Sequence, residues 1–244
     1  VSNLSLANLN ASTSKQNAPF VAKAFSGDID WSDFKQTQTV SASNITLITN
    51  TGLAINNGNG YYSTSLKNGK PWVRSDIKLD QLSLAAINQL TPYLHLPDQT
   101  LALLNGLAPT GDLQAPHLHW EGLANKPSEY KIETAFKQLS LTAANKIPGF
   151  KNLNGKLNAN EKGGEITLQS QNAMLDFKDI LRWPVPAEKL NGNISWTIRD
   201  GKTNITAKDL SIASPHITGT VNASYDMNGI KGGYLDLNGK FGKG

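Results

Sequence analysis

The chain has 244 residues, a formal net charge of +4 and no cysteine; 17% of its residues are charged and 7% aromatic. The missing cysteines exclude a disulfide framework and thiolate metal sites. Lysines that stand singly, without a basic stripe interleaved with aromatics, argue against a nucleic-acid partner, and no apolar run approaches the ~20 residues of a membrane-spanning helix. This length accommodates one large β domain or two small ones.

In chain order, strand patterns run near Val1–Ala11, Phe20–Trp31, Thr39–Thr49, Leu53–Leu66 and Pro71–Leu79. Turn signals separate several of them: Asn50-Thr51-Gly52, Asn57-Gly58 and Asn68-Gly69. The period then changes. Leu84, Ile87 and Leu90 have helical spacing within Leu82–Leu94, with Ser83 as N-cap and Pro92 as terminator. A second short helix carries Leu101, Leu103 and Leu104 between an Asp98 cap and Gly106. Strands resume near Asp112–Glu121, Glu129–Leu141, Gly155–Glu161, Gly164–Phe177, Leu190–Asp200, Lys202–Ile212, Ile217–Asp226 and Gly233–Phe241. Asp200-Gly201 is a two-residue hairpin turn.

A motif returns after 37 residues: Leu153-Asn154-Gly155-Lys156-Leu157 recurs as Leu190-Asn191-Gly192-Asn193-Ile194. Gly164 then maps to Gly201, Leu168 to Ile205 and Leu175 to Ile212. Each copy reads as strand, Gly-containing turn, strand, so the sheet grows by addition of hairpins. Within the strands, apolar and polar residues alternate: Ile194, Trp196 and Ile198 lie against Ser195, Thr197 and Arg199. One face is therefore apolar and must be covered, by a second sheet, by closure into a barrel or by an apolar ligand.

Residues with chemical potential are few. Gly201-Lys202-Thr203 ends like a phosphate-binding loop, but Trp196 stands where the first Gly belongs. His117 and His119 share the parity of metal ligands on a strand, yet only His95 and His216 accompany them. They read as solvated imidazoles, and no metal or cofactor is expected. Asp28, Asp30 and Asp33 lack the Gly and distal Glu of a calcium loop. Glu161 and Glu165 flank a Gly-Gly turn; they could form a glycosidase pair but more simply keep a hairpin end solvated. Six Asn-x-Ser/Thr sequons fall mostly inside strands and read as products of composition.

The helical insert followed by Leu107-Ala108-Pro109-Thr110-Gly111-Asp112-Leu113 resembles AsmA-like proteins of Gram-negative bacteria, most closely the large periplasmic YhdP-type members. So does Ile147-Pro148-Gly149-Phe150-Lys151-Asn152-Leu153-Asn154-Gly155-Lys156-Leu157, followed by Gly164-Glu165-Ile166-Thr167-Leu168. Short Leu-Ser-Leu or Leu-Ser-Ile elements at Leu4–Leu6, Leu82–Leu84, Leu139–Leu141 and Leu210–Ile212 fit the same family. The likeness is best over Leu82–Ile212. It implies a non-enzymatic, inner-membrane-anchored periplasmic protein whose long β-groove carries phospholipid towards the outer membrane and so maintains its permeability barrier.

The expected fold is mostly β: a long, twisted, mainly antiparallel sheet of about ten strands, curled into a hydrophobic groove, with a short helical pair inserted. Residues 1–80 and 109–244 form the groove strands and 81–108 the helical insert, all of it a piece of a longer chain whose membrane anchor lies outside. On parity, the lining residues for phospholipid acyl chains are Ile132, Phe136, Leu157, Ile166, Leu168, Ile194, Trp196, Ile198, Ile205, Val221, Leu235 and Leu237. Edge-to-edge self-association is expected of its outer strands. A structural or adhesive β-solenoid and a carbohydrate-active β-enzyme are the alternatives.

Overall fold

The computed structural model describes residues 3–11, 20–88, 98–123, 126–144, 147–178, 182–215, 217–227 and 233–243. Fourteen strands form one open antiparallel sheet: β1 (Leu4–Ala11), β2 (Phe20–Phe34), β3 (Thr37–Thr49), β4 (Ala54–Lys67), β5 (Lys70–Lys78), β6 (Gln81–Ser83), β7 (Thr110–Leu123), β8 (Lys126–Leu141), β9 (Gly149–Asn160), β10 (Gly163–Asp176), β11 (Val185–Arg199), β12 (Lys202–Ala213), β13 (Ile217–Asp226) and β14 (Tyr234–Lys243). Hydrogen-bonded order follows chain order, except that the three-residue β6 pairs with β7 beside β5. Two short helices, α1 (Leu84–Asn88) and α2 (Asp98–Leu107), interrupt the sheet between β6 and β7. The fold class read from the sequence is the one observed, and an open sheet of this kind is consistent with a curled β-groove. Fourteen strands replace about ten. Leu82 belongs to β6, so the first helix begins only at Leu84; residues 89–94, the rest of its expected span, lie outside the described residues.

The chain divides into two compact units, unit 1 (residues 1–102 and 112–133) and unit 2 (residues 103–111 and 134–244). In unit 1 a buried cluster of Leu53, Leu82 and Ala86 gathers Leu47, Ile55, Leu79, Ile87 and Leu113 around it. Here α1 covers one end of the apolar face of the sheet. In unit 2 the 37-residue repeat becomes two successive hairpins, β9–β10 and β11–β12. Their registers set Gly155 and Gly192 on either side of Leu168.

Most strands break their alternation once. Phe136-Lys137-Gln138-Leu139, Phe150-Lys151-Asn152-Leu153, Ser170-Gln171-Asn172-Ala173 and Ala207-Lys208-Asp209-Leu210 each run from the covered face through two outward residues and back. The second outward residue is left-handed in every case: Gln138 at φ 52°, Asn152 at 59°, Asn172 at 52° and Asp209 at 48°. Asn8, Asn44, Asn57 and Ala115 do the same in unit 1. These are β-bulges, which bend a strand and strengthen its twist. Asn and Asp suit them because short polar side chains tolerate this conformation and bond locally.

Side chains join neighbouring bulges. Asn152 Nδ2 donates to the carbonyls of Gln171 (2.9 Å) and Asn172 (3.2 Å). The Gln138 amide donates to Asn154 Oδ1 (3.0 Å), and the Asp209 amide to Asn222 Oδ1 (2.9 Å). In unit 1, Asn44 Nδ2 donates to Asp28 Oδ2 (3.1 Å).

Candidate functional site

In an antiparallel pair, residues directly opposite share a face, so the registers decide which side chains line up. In unit 2, Leu157, Ile166, Ile194, Ala207, Ala223 and Leu237 form one cross-strand row over β9–β14. The next row is Ala159, Gly164, Trp196, Ile205, Tyr225 and Leu235. Ile198 opposes Thr203, Val221 opposes Leu210, and Leu168 lies between its two glycines, all on this face. Phe136 joins it, because a Cβ on Gly155 would meet the Phe136 ring at 2.7 Å. Ile132 has the parity of Phe136 on β8 but belongs to unit 1.

The opposite face is mostly polar, with Met174, Pro186 and Ala213 as apolar members towards one end. Glu165 pairs with Asn158 and Ser195, Thr167 with Lys156 and Asn193, and Ser224 with Thr206 and Asp236. Two-sided chemistry of this kind is what an antiparallel sheet shows when one face meets water and the other an apolar partner.

Burial differs along the apolar face. Phe136 and Leu168 are buried, while Ile166, Ile194, Trp196, Ile198, Ile205 and Val221 are half-buried. Leu235 and Leu237 on β14 are 58% and 56% exposed. A dry two-layer core would bury such residues; here a row of isoleucines and a tryptophan remains accessible. Two aromatic rings lie across glycines: Phe136 over Gly155, and Trp196 over Gly164, where an added Cβ would come within 2.5 Å of Trp196 Cζ2. These glycines give the rings room to lie flat on the sheet.

Strict alternation missed two groups of residues. Leu139, Leu153, Ala173, Ala187, Leu190 and Leu210 also belong to the covered face, several beyond the bulges that shift the phase by one residue. The signal was an apolar pair separated by two polar residues, the second being Asn, Asp or Gln. The second group is the corresponding face of unit 1, with rows Ile29–Ala42–Gly60–Ile77–Leu118 and Trp31–Val40–Tyr62–Ser75–Trp120 across β2, β3, β4, β5 and β7.

The polar groups singled out in the sequence lie elsewhere. His117 and His119 stand on the outward face of β7 around Asp76. His117 Nε2 is 3.0 Å and His119 Nδ1 3.4 Å from Asp76 Oδ2, while His117 Nδ1 is 3.5 Å from Glu133 Oε2. Lys131 Nζ pairs with Glu133 Oε1 at 2.9 Å. Burial pushes the Asp76 carboxyl up, but its contacts with His117, Lys78 and His119 outweigh this and hold it below the ordinary range. The hydrogen bond from Lys131 holds Glu133 down in the same way. Among the described residues, no three His, Cys, Asp or Glu side chains are arranged to hold a metal ion.

Asp28 does not gather Asp30 and Asp33 around a cation site. It accepts the Asn3 amide (2.7 Å) and Asn44 Nδ2, and these bonds lower its pKa. Glu161 sits at the β9–β10 tip beside Lys162 (3.7 Å), and Glu165 points outward from β10. No cleft lined by two facing carboxylates is built from them.

A family model described as YhdP protein matches residues 1–244. The chain belongs to the YhdP family. No curated protein and no solved structure matches it. The YhdP family is of non-enzymatic, lipid-transport type and comprises periplasmic bridge proteins. Among the described residues, no helix is long and apolar enough to cross a membrane.

Proposed function

We propose that this chain is a segment of a periplasmic bridge that carries phospholipid between the inner and outer membranes, its acyl tails resting on the apolar sheet faces. The observation that carries this reading is the accessible apolar face of unit 2, where Ile166, Ile194, Trp196, Ile198 and Ile205 are half-buried, while the residues that alternate with them, such as Glu165, Thr167, Ser195 and Thr197, are polar. Acyl chains would slide along this floor with headgroups in water, so no residue performs covalent work. Periplasmic placement and a membrane anchor outside this segment follow from the family reading. The antiparallel pairing of sequence neighbours argues against a β-solenoid, whose stacked coils pair in parallel.

Extraction of the purified chain followed by lipid mass spectrometry tests the proposal, with co-purified phospholipid expected. The variants Ile194→Asp and Leu168→Asp sharpen it. At the accessible Ile194 the carboxylate remains partly hydrated, so the fold is expected to survive while bound lipid falls severalfold. At the buried Leu168 an unpaired charge costs several kcal/mol, about 3–5, and melting should collapse. A stable Ile194→Asp protein with normal lipid content would refute this face as the lipid path.

A further inference from the structure

We propose that a notch in the apolar face of unit 1, over Ala42 and Gly60, is a seat for one phospholipid acyl chain. This rests on the lipid-carrying reading above and adds to it a fixed place where a tail lies against the backbone.

The notch follows from register. Ile29, Ala42, Gly60, Ile77 and Leu118 oppose one another in one row, so a methyl group and an empty position stand between two isoleucines. Ile29 on β2 and Ile77 on β5 are three strand spacings apart, about 14 Å at ~4.8 Å each. Towards the α1 cluster the notch is closed: Ile55, Leu79 and Ile45 lie 3.0, 3.1 and 3.5 Å from where a Cβ on Gly58 would stand. On the other side lies the row Trp31–Val40–Tyr62–Ser75–Trp120, in which Val40 and Tyr62 are 37% and 42% exposed. No charged side chain belongs to either row.

Nothing in the fold requires Gly60 to lack a side chain. A Cβ there would meet only the Asp76 carbonyl oxygen, at 3.9 Å. Every other strand glycine among the described residues would bring its Cβ to 3.4 Å or closer to a neighbouring atom. At three glycines on the apolar face of unit 2 that neighbour includes a ring: Phe136 at Gly155, Trp196 at Gly164 and Phe241 at Gly219. Nor does the backbone demand glycine, since Gly60 is not left-handed. A glycine inside a strand weakens it, and it marks a place where a ligand or another backbone approaches closely. Among the described residues no such backbone covers Gly60, which leaves a ligand.

The walls select hydrocarbon. Ile29, Ala42, Gly60 and Ile77 are all half-buried, so the row is accessible, and its side chains offer only methyl and methylene groups. The backbone of β4 around Gly60 is paired with β3 on one side and β5 on the other. A polar ligand would lose its water here without gaining a hydrogen bond, whereas methylenes gain by burial.

The test uses the intact 244-residue chain, which has no cysteine, so a single introduced thiol reports its own surroundings. Gly60→Cys and Ala42→Cys place that thiol in the notch. Tyr61→Cys places it on the reverse face, in the row Ser41–Tyr61–Asp76. The reagent is a polar maleimide; the probes are dioctanoyl phosphatidylglycerol, kept below micelle formation, and its deacylated headgroup. At roughly ten times its Kd the lipid should slow labelling at both notch positions about tenfold and leave Tyr61→Cys unchanged. The headgroup alone should protect none of them. Gly60→Ile should melt no lower than wild type, because a β-branched side chain enters open space in a strand that favours it. A melting temperature several degrees lower would mean that the protein itself fills the notch, and overturns the seat. Equal protection of Tyr61→Cys, protection by the headgroup alone, or unprotected notch thiols in a chain that binds the lipid also overturns it, while lipid carriage stands. If Gly60→Cys fails to fold, Ala42→Cys decides. Failure of wild type to bind the lipid would remove the lipid-carrying reading and this inference with it.

Discussion

At the scale of single residues, the glycines beneath aromatic rings explain how a floor of bulky side chains stays smooth. Gly164 faces Trp196 across β10 and β11, and a Cβ there would also come within 2.7 Å of the Asn158 carbonyl. Neither neighbour is a flexible chain end, so Gly164→Val must displace the indole or the β9 backbone. The expected cost is about 1–3 kcal/mol, read as a lowered melting temperature together with a shifted Trp emission. An unchanged emission would mean that Trp196 does not rest on Gly164.

Single residues also set the acid response of unit 1. Asp76 on β5 and Glu133 on β8 meet His117 and His119 on β7, with Lys78 and Lys131 close by. Both carboxyl pKa values are lower in the folded protein, so their contribution is fully present above the ordinary values of 3.8 and 4.5. It is lost as pH falls through the lower folded values. An acid titration of melting temperature should therefore show a drop below this range that is diminished in Asp76→Asn. An equal drop in the variant would show that the His117 cluster contributes nothing to it.

At the scale of the strand, the bulge is the recurring device. It lets a strand of twelve to sixteen residues, such as β8 and β9, keep its apolar side chains on one face while bending midway. Asn152 illustrates the requirement, with φ at 59° and its side-chain amide bonded to two β10 carbonyls. Asn152→Val has to hold a β-branched residue in left-handed backbone and gives up both bonds, an expected loss of about 2–4 kcal/mol. Asn152→Gly keeps the backbone and loses only the bonds, so it should cost roughly half as much. Chemical denaturation of the two variants checks this, and a valine variant as stable as the glycine one would contradict the role of the bulge.

At the scale of the whole molecule, the meander of fourteen strands leaves β1 and β14 outermost in the sheet order. Tyr234, Leu235, Leu237 and Phe241 on β14 are all more than half exposed. An outer strand with such side chains is a template for another chain. The purified chain should associate with rising concentration, and Leu235→Lys with Leu237→Lys should suppress it. Sedimentation that stays monomeric at high concentration would argue that the outer edges are protected.

The hairpin meander, the division into one apolar and one polar face, and the family were legible in the sequence, because each depends on local information. Period-2 alternation marks a half-covered strand, Asp200-Gly201 marks a hairpin, and the 37-residue echo marks addition of like units. Leu157, Ile166, Ile194 and Trp196 could be assigned to one face by parity alone, without knowing their partners. Parity fails where a strand gains a residue. That is why Leu139, Leu153 and Leu210 were missed: their phase depends on Gln138, Asn152 and Asp209 turning left-handed, a choice settled by bonds to the neighbouring strand. The level of each residue within the sheet was likewise beyond the sequence. Cross-strand register brought Trp31, Tyr62 and Trp120 into one row and Lys35, Lys67 and Lys126 to one margin. Register comes from long-range pairing of backbone donors and acceptors, so only the tertiary structure could bring scattered aromatics into one row.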